Sequence, residues 1–590
     1  MRAFHADRAL KARVLAAAGL LAGFGALTAV PAAAQSGPPV SLLAPPAGSA
    51  DSAPAVQPAA PAATLPTTDP RNVTIQREDM PAFSADSLGL VDATQGGFAD
   101  DLWAGTSAGA VRALLGRLPT ATESPTLRNL ARRLLVTAAD APKESPPVGG
   151  PLLLDLRVQS LLALGRGDDA AALAGAAPAA ARSPALARTR IDALLLAGRT
   201  QDACGDASGI AADDGAADAT LAETRVLCQF ASGDTQGATF GLDLLRDRKP
   251  ADVGFIAAAE TLAGLPPAKG FVASMRDPTS TQFAAMQAAK LPLAPDVAAT
   301  ARPAVVRALA VSPATPGDLR LAAALRAESM GLLDTEALRH LMDSVDITAD
   351  ELATPLASAG GLPAGRALAL LLRATAGTAD SVTDIVAKAM EIAAKNGSTA
   401  TAARLLAPVV ASVAPQPALS GFAPVAARIL LIAGRAQAAA PWLDLAARDP
   451  VTVKEAARLW PLARLWGVGD PSPAALAVWR QSVDPRNAVL MLGLLAAAGQ
   501  PVPDGEMAAL LEVPRSAVGI GPALSQMLGA SARDKRVGGT VLAALAAMNG
   551  PAFDKVDPDT AARVVAALGA VGLGDDARRL AAEIMLANGV

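Results

Sequence analysis

Residues 105–109 read Gly105-Thr106-Ser107-Ala108-Gly109, a G-x-S-x-G spacing that in hydrolases exposes a serine nucleophile on a sharp turn. That turn needs an apolar strand before the serine and a helix after it. The segment before it, "VDATQGGFADD" (91–101), is polar and Gly-rich instead. A partner base is scarce as well. The only histidines are His5, near the start of the chain, and His340 in "EALRHLMDSV" (336–345), so any triad must use His340 and a multi-His metal site is excluded. No G-x-x-x-x-G-K-[S/T] phosphate loop occurs. "GIGPAL" (519–524) opens like a dinucleotide loop, but Pro522 follows and the third Gly is missing. Asp554, Asp557 and Asp559 are spaced to cap a helix, not to form a twelve-residue calcium loop. The sequence therefore predicts no catalytic residue, no cofactor and no metal. Ser107 is expected in a small-residue surface against which another helix packs.

Two sets of residues are candidates for binding. Four of the five tryptophans, Trp442, Trp460, Trp466 and Trp479, fall close together in a chain that is only 3% aromatic. Trp often dominates interface energy, so the cluster is a candidate partner-binding site; the alternative is large core residues filling Ala-lined gaps. Arg157, Arg190 and Arg225 recur at equivalent points of three aligned segments. They read as an Arg ladder or as inter-repeat partners of Asp residues.

The elements that must position these residues are helices. Of 590 residues 52% are hydrophobic, and Ala and Leu fill that quota while Tyr is absent. Ala costs least to hold in a helix, and runs rich in Val, Ile, Thr and aromatics are almost lacking, so an all-α chain is expected. Net charge is −4, with no bulk field to attract nucleic acid. The first 34 residues have the layout of a secretory signal peptide. Arg2, Arg8, Lys11 and Arg13 precede the apolar "VLAAAGLLAGFGALTAV" (14–30), and small residues flank a cleavage point between Ala34 and Gln35. An uncleaved N-terminal anchor is the alternative. Residues 35–96 read as a Pro/Ala-rich disordered tether, since 35–70 hold nine Pro and no Lys or Arg. No later apolar run reaches the ~18 residues of a membrane span.

From residue 97 the chain repeats. "RVQSLLALGRGDDA" (157–170), "RIDALLLAGRTQDA" (190–203) and "RVLCQFASGDTQGA" (225–238) align without gaps. Each has a Gly followed five residues on by Ala, a spacing that returns at Gly397/Ala402, Gly434/Ala439 and Gly572/Ala577. Gly165, Gly198, Gly233, Gly264, Gly331, Gly361, Gly397, Gly434, Gly467 and Gly499 set a mean period of about 33 residues, with one unmarked repeat between Gly264 and Gly331. The physical reading is an array of antiparallel helix hairpins. Gly ends each first helix in a left-handed conformation, and Ala lets the second helix approach closely. The register puts Cys204 near the start of one second helix and Cys228 near the end of the next first helix, antiparallel neighbours. An exported chain keeps an even cysteine count paired, so a Cys204–Cys228 disulfide is expected. "TADE" (348–351) reads as a capping box and "DPDTAARVV" (557–565) as an Asp cap with Pro first in the helix.

Period and turn resemble the tetratricopeptide repeat over roughly residues 97–590, which implies a right-handed superhelical solenoid. Val158, Ile191 and Val226 stand where that family has a small residue, and its early aromatic is missing. The Pro-rich "AVSPATPGD" (310–318) suggests two arms, 97–310 and 311–590. "GTSAGA" is similar to the elbow of patatin lipases, and "DDGA" (213–216), with Asp214, is similar to their dyad partner, but their upstream Gly-rich oxyanion loop has no counterpart. "AESMGLL" (327–333) resembles a fragment of the lytic transglycosylase motif, and nothing matching follows. The leader, tether and Ala-rich hairpins together resemble secreted proteobacterial proteins of unknown function, some labelled antifreeze glycopeptide polyproteins, whose Ala-Ala-Thr arrays are lacking here. The functional expectation is a periplasmic, non-enzymatic α-solenoid scaffold for a protein partner in the cell envelope. The alternative is an accessory protein or enzyme acting on peptidoglycan or exported polysaccharide.

Overall fold

The computed structural model describes residues 84–143, 152–210, 218–248, 252–266, 274–377, 381–509, 511, 519–550 and 552–590. The leader, most of the tether and Asp214 lie outside the described residues. The described residues hold 29 α-helices and no strand. Consecutive helices pack on one another, and their apolar faces join in one core running from Phe98 to Val590.

The glycine turns form as the repeat predicts. Gly165, Gly198, Gly233, Gly264, Gly331, Gly397, Gly434, Gly467, Gly499 and Gly572 all take φ between 67° and 86°, the left-handed region that side chains resist. Gly361 is the exception: it ends the short 3₁₀ turn Ala359–Gly361 and has no left-handed φ. The Ala five residues after each marked Gly is buried as close approach requires. Ala170, Ala203, Ala238 and Ala439 are 0% exposed, Ala402 1% and Ala577 2%.

Two turns carry lysine instead of glycine. Lys290, after Ser280–Ala288, has φ 54°, and Lys535, after Pro522–Arg533, has φ 56°. Lys290 falls inside the stretch that no glycine marks. A non-Gly residue in this region costs about 1 kcal/mol. Lys290→Gly is therefore expected to raise stability by about 0.5–1 kcal/mol, read as a shift of the urea midpoint.

The three repeated arginines form neither a ladder nor a simple set of Asp pairs. Each reaches a main-chain carbonyl in or just beyond a preceding helix, and Arg157 and Arg225 do so at or past a helix end, where intrahelical donors run out. Arg157 bonds Leu135 O at 2.8 Å and Thr137 O at 2.8 Å. Arg190 bonds Ala171 O at 3.2 Å and also Asp206, and Arg225 bonds Ile210 O at 2.9 Å. Arg157 is 1% exposed, and burial pulls its guanidinium down to about 10, still charged at neutral pH. It also bonds Leu88 O at 2.5 Å, tying down residues ahead of 97. Leu90 N–H donates to Val136 O at 2.7 Å in the same segment. The packed region thus begins before the sequence boundary.

Cys204 in Thr200–Ser208 and Cys228 in Ala219–Ser232 sit at disulfide distance, with Cα atoms 5.5 Å apart. Replacing both cysteines by serine should cost about 2–3 kcal/mol, because the unfolded chain regains the loop entropy. Thiol titration of the denatured, unreduced protein should find no free thiol.

The array is not a simple succession. Ser280–Ala288 packs back on Pro184–Leu196 and Ala219–Ser232, and Pro303–Val311 packs on Leu153–Ala163 and Pro184–Leu196. The helices between them form a spur. At the 310/311 boundary of the two expected arms, Pro303–Val311 and Gly317–Ser329 pack closely along each other. Most consequential for function, the first hairpin packs on the last ones. Ala108–Leu115 and Pro125–Val136 touch Val537–Ala547, and Pro125–Val136 also touches Gly574–Ala587. The array closes on itself.

Candidate functional site

The closure rests on two kinds of contact. Small residues permit the first. Gly538 N–H donates to Leu102 O at 3.1 Å, and a Cβ on Gly538 would lie 2.3 Å from that oxygen. Arg536 donates to Gly105 O at 3.0 Å, and Gly105 is left-handed with φ 71°. The segment that looked like a nucleophile elbow is therefore a seam. Ser107 caps Ala108–Leu115, accepting from Ala110 N–H at 3.3 Å, and its φ is an ordinary −72°. His340 is exposed and sits 3.4 Å from Glu336 on its own helix, with no hydrogen bond to Ser107.

Polar groups make the second kind. Glu583 accepts from the hydroxyl of Ser124, from Thr126 Oγ1 at 2.5 Å and from Thr126 N–H at 3.1 Å. Burial pushes the Glu583 carboxyl up, and those hydrogen bonds oppose it. Arg133 pairs with Asp576 at 2.8 Å and lies over the Phe98 ring, 4.5 Å from its centroid.

Beside the closure lies a cavity of about 1590 Å³ that is open to solvent. Its wall includes the start of Pro125–Val136, the Gly331 and Gly434 turns, the end of Val537–Ala547 at Met548, and one face of Gly574–Ala587 along its whole length. Glu328, 4% exposed, also lines the cavity. It accepts both forks of Arg404 at 2.6 and 2.7 Å, Thr401 Oγ1 at 2.6 Å and Thr335 Oγ1 at 2.7 Å. Burial alone raises such a carboxyl, but Arg404 and the two hydroxyls outweigh it and hold Glu328 below its ordinary value. Arg307 pairs with Asp168 at 2.6 Å, and Arg166 donates to Gly331 O at 2.5 Å.

The tryptophan cluster divides. Trp442 is 2% exposed and packs edge-on to Phe422 at 5.7 Å; Trp479 is 1% exposed and stacks on Trp460 at 5.3 Å. A buried ring cannot touch a partner, so Trp442 and Trp479 are core residues, which corrects their reading as surface anchors. Trp460 is half-buried and donates its indole N–H to Asp470 O at 2.8 Å. Trp466 alone of the four lines the cavity, and its Nε1 has no acceptor among the described residues.

No protein-family model, curated protein or solved structure matches this chain. Its function must be read from the site. Arg307, Glu328, Arg404, Asp575 and Asp576 on the cavity wall are ion-paired, and no Ser–His or Cys–His pair lines it among the described residues. Asp557 bonds Thr560 N–H at 2.9 Å as a helix cap, and among the described residues no group of three His, Cys, Asp or Glu is placed to hold a metal ion. Sequence reasoning missed Glu583, Arg579 and Asn129 because the cavity gathers residues more than 400 positions apart. The one usable signal was the small-residue pair Gly538-Gly539 in an otherwise apolar helix.

Proposed function

We propose that this chain is an exported, non-enzymatic helical scaffold that holds a protein partner in the cell envelope, with a segment of the partner entering the central cavity. The observation that carries the reading is the closure of the first hairpin on the last, beside which lies a large, solvent-open space with a mixed polar and apolar lining. Main-chain groups at helix ends and a mixed polar and apolar lining suit an extended polypeptide segment. Export is supported by the leader layout and the disulfide-distance cysteines, and it implies a periplasmic protein cleaved after Ala34. No helix among the described residues is long and apolar enough to cross a membrane.

The left-handed glycine turns and buried alanines support kinship with tetratricopeptide-like arrays wound right-handed at a period of about 33 residues. We keep residues 97–310 and 311–590 as two arms joined at the Pro-rich break, and 35–96 as largely tether. Trp466 and Phe553 on the cavity wall beside Asp554 favour a second reading, an accessory role on peptidoglycan or exported polysaccharide. Crosslinking in intact envelopes decides between them. The wild type should capture a defined protein that an Ala121→Trp variant, filled at the cavity wall, loses. Capture that is unchanged by the filling, or retention of glycan alone, overturns the reading.

A further inference from the structure

We propose that the cavity anchors its occupant through a carboxylate, gripped by Arg579 with Asn129 as a second donor. The proposal rests on the reading above that a partner segment enters the cavity. The register of the seam places the two residues together. Ser124 and Thr126 bond Glu583, and nine residues along the same helix Arg133 bonds Asp576, so Pro125–Val136 and Gly574–Ala587 run antiparallel. Midway between those contacts Asn129 comes level with Arg579. Both line the cavity, and neither has a hydrogen-bond or ionic partner among the described residues.

The carboxylates on the same helix are engaged. Asp576 is taken by Arg133 and Asp575 by Arg578. Glu583 is held by the Ser124 and Thr126 hydroxyls, and its burial disfavours the charged form. That leaves the Arg579 guanidinium at the wall with no hydrogen-bond or ionic partner among the described residues. Arg166 lies next along: its donor target Gly331 packs against Pro125, and its Nε has no acceptor. A guanidinium fork matches a carboxylate in plane, and an Asn amide N–H can complete the grip on one oxygen. A phosphate dianion fits less well, because Asp554, exposed on the same wall, repels a double charge more than the single charge of a carboxylate. The carboxylate can come from a chain terminus or from an acidic side chain, and the shared chemistry is what the site reads.

The test uses the full chain and synthetic heptapeptide pools. One pool has free C-termini and no Asp or Glu, a second has amidated C-termini with Asp and Glu, and a third is amidated with neither. The expected result is retention of the first pool, the second or both, which names the source, with the carboxylate-free pool washed through. Arg579→Ala should weaken retention by about tenfold or more, and Arg579→Lys should restore only part, since an ammonium lacks the fork. Arg579 is exposed, so the variant should keep the wild-type melting temperature. Equal retention of the carboxylate-free pool, or no change in Arg579→Ala, overturns the anchor. Retention lost in Ala121→Trp but not in Arg579→Ala overturns the anchor and leaves the cavity reading standing. No retained pool, or retention indifferent to Ala121→Trp, overturns both.

Discussion

Gly538→Val is expected to destabilise the protein by about 4 kcal/mol and to open the array. The helix Val537–Ala547 meets residues 102–106 backbone to backbone. A Cβ on Gly538 would stand 2.3 Å from Leu102 O and 3.0 Å from Trp103 Cε3. Neither neighbour can give way cheaply: the first is main chain, and Trp103 is 4% exposed in the core. Overpacking of this kind costs about 1–3 kcal/mol, and displacement also forfeits the Gly538 N–H bond to Leu102 O, about 1 kcal/mol more. The β-branch adds χ1 crowding inside a helix. Gly109→Ala is the control from the same seam. Gly109 lies in Ala108–Leu115, and a methyl group there would meet nothing within 4 Å, so alanine should be neutral or stabilising by up to about 1 kcal/mol. Urea midpoints give the energies, and small-angle scattering gives the opening as an increased radius of gyration. A Gly538→Val protein with wild-type midpoint and radius would show that the seam does not hold the closure.

That seam marks the boundary of what the sequence makes legible. Local chemistry was readable, because a glycine at a fixed distance from an alanine has only one economical use in a helix hairpin. The Cys204–Cys228 pairing followed from the same register, since it spans two neighbouring hairpins. Lys290 and Lys535 were not readable as turns, because their side chains give no sign that the backbone is left-handed. The tryptophans show a different limit. Trp460 and Trp479 stack face to face from helices whose relative rotation no spacing reveals, so core and cavity positions look alike in the sequence. The cavity itself was invisible. Asn129 and Arg579 become neighbours only after the first and last hairpins meet, and nothing local to either residue encodes that meeting. The G-x-S-x-G match was misleading for the same reason: Gly105 and Thr106 serve a contact with Arg536 and Gly539, far away in the chain.

Glu223→Gln is expected to flatten the pH dependence of stability, gaining on the wild type by about 3 kcal/mol between pH 4 and pH 8. Glu223 lies in Ala219–Ser232 on the spur, 6% exposed, and accepts one hydrogen bond from Thr281 Oγ1 at 2.5 Å. Burial pushes its carboxyl from 4.5 up to about 7; the Thr281 bond opposes this, Asp252 adds to it, Arg248 opposes it and Asp218 adds to it. Below about pH 4.5 the group is protonated in both folded and unfolded chains. Between there and pH 7 the folded state holds a proton that the unfolded state has released, so stability falls as pH rises. Above pH 7 both are charged, and the folded state bears the full cost of a buried carboxylate. Glutamine keeps the hydrogen-bonding shape without that charge. Asp155, Asp192 and Glu583 are also raised by burial, but they are common to both proteins and cancel in the difference. Urea midpoints of the two proteins at pH 5, 6, 7 and 8 should diverge steadily and then level off. Because Glu223 shares its helix with Cys228, the alkaline loss should also appear as faster amide exchange in the spur before global unfolding. Parallel midpoints across that range would mean that Glu223 is charged in the folded protein at every pH, and that the spur tolerates it.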